Sequence, residues 1–211
     1  MAETKKPEII KSRDIHRSIR LDPIDEKLTA FAEKGVFLIG GPILEGVTFS
    51  LLLSIGNLHK TEPDKEIWLI LKSPGGQVDE GFAMYDLIRA FVKKGLNINI
   101  LCMGLVASMG AGILQAAKRR YSLPSTQFMI HEVSQVIMAT ENASESDERN
   151  AEIKRINNIV LGQLADRTGL DIKELAAQLR KTDVWLDAKA ALKFGSNGLI
   201  DEIVDTLPFE L

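Results

Sequence analysis

The chain has 211 residues, 45% of them hydrophobic and 26% charged, which suits one folded domain with a sizeable core. Its formal net charge of −3, with no basic run interleaved with aromatics, excludes an electrostatic case for nucleic acid, and no segment reaches the ~20 apolar residues of a membrane span. The single cysteine, Cys102, excludes an internal disulfide and reads as a small buried hydrophobe in an apolar strand.

Residues 1–34 form a charged N-terminal arm without a strong period, holding one short helix near 23–33. The first residues, Met-Ala-Glu-Thr-Lys-Lys-Pro-Glu, are charged where a signal peptide needs an apolar core, so the expected location is cytoplasmic. Residues 35–211 read as a single domain in which strands and helices alternate. A short apolar strand at 36–39 precedes a leucine-rich helix at 44–58, and Ile-Trp-Leu-Ile-Leu at 67–71 is a buried strand. A helix at 80–94 carries Tyr85, Ile88, Phe91 and Val92 at the spacing of a core-facing stripe, with Asp86, Arg89 and Lys93 opposite. A strand at 96–103, a helix at 109–118 and a strand at 127–130 follow. This alternation predicts an α/β fold of repeated β-α units around a mostly parallel sheet.

A long helix is expected from about Ser144 to Arg167, stopped by Gly169, with Ile153, Ile156, Val160 and Leu164 as an apolar stripe. No later element looks large enough to cover that stripe, so a partner surface is expected there. Short helices at 171–180 and 188–194 and a strand-like run at 199–204 complete the chain.

The run Gly-Leu-Val-Ala-Ser-Met-Gly-Ala, 104–111, sets Ser108 between an apolar strand and a small-residue helix. A serine on such a bend holds its hydroxyl clear of the sheet, beside backbone N–H groups that the new helix leaves unpaired. Such N–H groups can receive the oxygen of a tetrahedral intermediate. A Gly/Ala/Ser cluster also serves close helix–strand packing, and Ser-Pro-Gly-Gly at 73–76 alone is an ordinary turn. Hydroxyl activation needs a base and an orienting carboxylate. Of three histidines, His16 and His59 lie in polar or lysine-rich surroundings, whereas His131 ends an apolar strand, as a base or as a core histidine. Asp183 lies in Lys-Thr-Asp-Val-Trp-Leu-Asp-Ala; Asp187, four residues on, reads as the N-cap of the next helix, and Asp166 as surface.

Together, Phe-Leu-Ile-Gly-Gly-Pro-Ile (37–43), Ser-Pro-Gly-Gly (73–76), the Ser108 run, Phe-Met-Ile-His (128–131) and the Asp183 segment resemble the proteolytic subunit of the Clp protease, in order and rough spacing, over about 35–205. The resemblance implies a crotonase-like fold with a projecting handle segment at about 132–168. It implies Ser108 as nucleophile, His131 as base, Asp183 as orienting acid, and Gly76 and Met109 as oxyanion-hole donors, with no cofactor and no metal. It further implies polypeptide substrates, a homo-oligomer of one or two heptameric rings, and an AAA+ unfoldase of the ClpX or ClpA type. Trp68 and Ile70 match positions of that family's apolar docking pocket.

The chain departs from the family pattern in three places. The first 34 residues lack the usual apolar segment, no glycine follows His131 until Gly162, and Ser196-Asn197 interrupts the usual Phe-Gly-Leu-Ile run. These departures suggest a divergent member. Rival readings are a ring subunit without activity, a phage-type maturation protease, and an acyl-CoA enzyme of the crotonase type, which needs no serine nucleophile. A membrane-bound signal peptidase would need an anchor.

Overall fold

The computed structural model describes residues 30–133, 143–180 and 182–210. Most of the expected 23–33 helix lies outside these residues, although 30–33 are helical. Five strands run in the order β1 (Val36–Gly40), β2 (Ile67–Ser73), β3 (Ile98–Ala107), β4 (Arg119–Ser122) and β7 (Glu202–Ile203), all parallel. β5 (Gln127–Ile130) pairs parallel with the end of β3 and carries antiparallel β6 (Val184–Asp187) on its other edge. The helices are α1 (Val47–Thr61), α2 (Val78–Lys93), α3 (Met109–Leu114), α4 (Ala143–Thr168), α5 (Ile172–Leu179) and α6 (Ala188–Leu192). Among the described residues no helix is long and apolar enough to cross a membrane.

The near-continuous apolar run of β2 follows from burial on both faces. Ile67, Leu69 and Leu71 enter the main core with Met84 and Ile88 of α2. Trp68 turns to the opposite face, where it packs with Val36 and Leu101, and Ile70 joins it there. Alternate residues of a strand share a face, so Trp68 and Ile70 lie together on this side of the sheet. Trp68 is only 4% exposed, because Tyr121 and the C-terminal Phe209 lie over it with ring centroids 5.1 and 5.4 Å away.

Two strands escape a reading by periodicity. β4 hides in Arg-Arg-Tyr-Ser, since its charges look like a surface. Arg120 is instead 2% exposed, donating to Gln115 Oε1 (2.6 Å), Gly198 O (3.0 Å), Asn197 O (3.1 Å) and both carboxylate oxygens of Asp201. The helix expected to reach residue 118 therefore stops at Leu114, and the chain turns to enter β4. β6 is a half-exposed strand of four residues, too short for a periodic signal.

The uncovered stripe on the long helix is corrected. Val160, Leu161 and Leu164 are buried in the chain's own core, which α5 joins through Leu175 and Leu179. Ile153 and Ile156 stay half-buried and Ile159 is 38% exposed. Gly169, at φ +71°, ends α4 by donating to Ala165 O at 2.9 Å. Ser196 and Asn197 close on this corner, with Asn197 N donating to Thr168 O at 2.9 Å and Ser196 Oγ to Gly169 O at 3.3 Å.

Candidate active site

The site begins with an irregularity in the sheet. Leu71 pairs with Cys102, but Ser73 pairs with Val106, so β3 carries two extra residues there, and Gly104 takes φ +67°. β3 thus runs on to Ala107, past the expected end at 103, and leaves β4 to pair with β5. The bulge advances β3 so that residues 107–109 come beside the loop after β2.

Ser108 makes the bend into α3 with φ 53° and ψ −123°, the one non-glycine residue at positive φ among those described. A β-carbon is strained there, and the neighbouring elements hold it. Ser108 N donates to Met129 O at 2.9 Å, and its carbonyl accepts from Ala111 N at 2.9 Å to open the helix. Because Ala107 pairs with Met129, the residue after β5 arrives at the serine. His131 is that residue, and its Nε2 lies 2.8 Å from Ser108 Oγ. With Nε2 unprotonated, the hydroxyl donates to the ring. A core histidine satisfied by other partners is thereby replaced by one engaged with the serine.

Asp183 is not joined to this pair. It is exposed, and no described hydrogen bond uses its carboxylate or His131 Nδ1. The antiparallel register pairs Ile130 with Val184, so His131 and Asp183 are the next residues along the same ladder. Asp187 caps α6 as expected, accepting from Ala190 N at 2.7 Å. Asp166 is exposed on α4. His59 sits at the end of α1 with Nδ1 3.2 Å from Pro63 O, and His16 lies outside the described residues. Burial pushes the Cys102 thiol far above its ordinary pKa, so it offers no thiolate.

The loop after β2 is clamped by one residue of the strand-to-helix connection before α1. Ile43 N donates to Gly75 O and Gln77 N to Ile43 O, both at 2.9 Å. A β-carbon on Gly76 would lie 2.2 Å from Ile43 O. One on Gly75 would lie 2.7 Å from Ser108 Cβ and 2.9 Å from Ala107 O. Gly75 is the site residue that sequence reading missed, although it is the first half of the quoted glycine pair. No described hydrogen bond uses the N–H of Gly76 or of Met109, so both remain available. The Met109 side chain packs on Gly81 of α2, where a β-carbon would meet its Cε at 2.2 Å.

A cavity of about 100 Å³ opens beside Ser108 and His131, walled by Val78, Ile130, Val133, Val160 and Leu164. The stripe of α4 therefore lines the site. A larger groove, about 920 Å³, lies away from this chemistry along β1 and α1. Among the described residues no three His, Cys, Asp or Glu side chains gather as a metal site.

A family model for the Clp protease matches residues 23–207. The chain is 31% identical over 173 residues to ATP-dependent Clp protease proteolytic subunit 2 of Chlamydia trachomatis serovar D, and equally to those of serovar A and of Chlamydia muridarum. Each alignment covers 81% of this chain and 81% of the relative. With a mostly parallel α/β sheet and a serine–histidine pair at the strand-to-helix bend, the chain belongs to the Clp protease family.

Proposed function

We propose that this protein is a serine endopeptidase that cuts unfolded polypeptides inside a homo-oligomeric ring, fed by an AAA+ unfoldase. The observation that carries the reading is the 2.8 Å contact between Ser108 Oγ and His131 Nε2 on a strained bend beside two free N–H groups. Ser108 attacks the substrate carbonyl while His131 takes its proton. Charge developing on the carbonyl oxygen is received by the N–H groups of Gly76 and Met109, each worth ~3 kcal/mol of barrier. His131 then returns the proton to the leaving amine, and water clears the acyl-enzyme by the same route.

Asp183 completes the set by accepting from His131 Nδ1–H once its carboxylate turns along the β5–β6 ladder. Asp183→Asn is expected to remove most of kcat with an unchanged melting temperature, because it acts on the ring rather than on packing. Asp187→Ala, which removes the acceptor for Ala190 N, is expected to cost about 1 kcal/mol as a lost cap and to keep activity. The reverse pattern in steady-state assays would move the acid to Asp187. A second reading, a ring subunit without turnover, is favoured by the exposed, unengaged Asp183, and an intact wild-type assembly that turns over no peptide would support it.

Assembly is supported by the apolar outer edge. Leu38 on the sheet's edge strand is 58% exposed, and Phe49 and Leu53 of α1 are 69% and 66% exposed, next to the large groove. Large apolar side chains left this exposed are the kind of surface that a partner covers. Native mass spectrometry is expected to find about seven or fourteen chains, as the family resemblance implies. Phe49→Asp with Leu53→Asp is expected to lower that number and peptidase activity together. A wild-type monomer fully active on a denatured protein would contradict the ring.

A further inference from the structure

We infer that Ser73 is a positioning residue for the oxyanion hole, an inference that rests on the reading of Ser108 as nucleophile. Its hydroxyl is fully buried, with no exposure at the last position of β2. The Oγ accepts from Gly75 N at 3.1 Å and lies 3.5 Å from Gly75 O, a long contact for its own hydrogen. It therefore closes the turn that presents the next residue, Gly76. Ile43 alone would leave the loop held from one side, through Gly75 O and Gln77 N. Ser73 holds it from the other, through the Gly75 N–H.

The same residue also touches the second limb of the hole. A β-carbon on Gly110 would lie 3.4 Å from Ser73 O and 3.5 Å from Ser73 Cβ, so the first turn of α3 rests directly on Ser73. Met109 N opens that turn. One buried serine thus contacts both the loop carrying the Gly76 N–H and the helix start carrying the Met109 N–H. The bulge in β3 is what brings it there, because an unshifted register would set Ser73 against Gly104 rather than Val106. Oxyanion donors act only within a narrow distance of the developing charge, so a small displacement of either limb costs rate rather than affinity.

Ser73→Ala removes the hydroxyl and leaves the packing volume nearly unchanged. On a fluorogenic peptide, kcat is expected to fall on the order of tenfold to a hundredfold with KM within about twofold. The intact assembly of the variant, followed by hydrogen–deuterium exchange, is expected to exchange faster at residues 74–77 and normally in β2 and α2. A kcat within twofold of wild type, or exchange at 74–77 that does not change, overturns the inference. A rate loss that follows a large drop in melting temperature and vanishes on cooling overturns it as well, since that is global weakening. The peptidase reading fails separately: wild type then turns over no peptide, and the exchange measurement on Ser73→Ala still decides whether the hydroxyl pins the loop.

Discussion

Replacing His131 with alanine is expected to lower peptide turnover on the order of 10⁴-fold or more, with the melting temperature nearly unchanged. The ring is half-buried and its described hydrogen bond goes to Ser108 Oγ, so the loss falls on proton transfer and not on the core. Without it the hydroxyl attacks undissociated, and the leaving amine departs without a proton. His59→Ala serves as the control, because His59 reaches only Pro63 O at the end of α1. A loss with His59→Ala that His131→Ala does not reproduce would overturn the assignment of the base.

Arg120→Met is expected to cost about 3–5 kcal/mol in urea unfolding, the largest stability effect among the substitutions considered. Arg120 is 2% exposed and binds Asp201, Gln115 and two backbone carbonyls of 197–198. Removing it leaves the Asp201 carboxylate with only the backbone N–H of residue 120, and takes the guanidinium donor from the carbonyls of 197 and 198. Burial opposes ionisation of Asp201, but its hydrogen bonds and charge contact with Arg120 outweigh that and hold its pKa below the ordinary carboxylate range. A depressed carboxyl stabilises fully above its unfolded pKa, about 3.9, and loses that contribution as pH falls through the folded value. Stability should therefore decline in acid below about pH 4, and Asp201→Asn should flatten that decline. An acid limb unchanged in Asp201→Asn would show that other carboxylates carry it.

Much of the fold was legible because its strands are apolar and its helices amphipathic. The β2 run and the α2 stripe were read within two residues of their bounds. What escaped was set by tertiary contact. β4 looks charged because Arg120 is neutralised by a residue 81 positions later in the chain. The bulge that carries β3 to Ala107 depends on pairing with two different strands, which no local period encodes. The stripe on α4 seemed uncovered because α5 is short, yet Leu175 and Leu179 are enough to complete its packing. At the site, Ser108 and His131 were legible as residue types in context and stand in hydrogen-bond contact. The N–H groups of Gly76 and Met109 enter no described hydrogen bond, and their role as donors stays a proposal. Asp183 rested on family register, and the ladder brings it alongside His131 without a hydrogen bond. Gly75 and Ser73 were invisible as site residues because their roles lie in the space they leave and the turn they close.

Treatment with a fluorophosphonate probe, with the adduct mapped by peptide mass, tests the central claim most directly. A serine peptidase working through Ser108 gives one adduct per chain on the peptide spanning 104–118, lost in Ser108→Ala and slowed in His131→Ala. An adduct on another serine, or undiminished peptidase activity in Ser108→Ala, would contradict it.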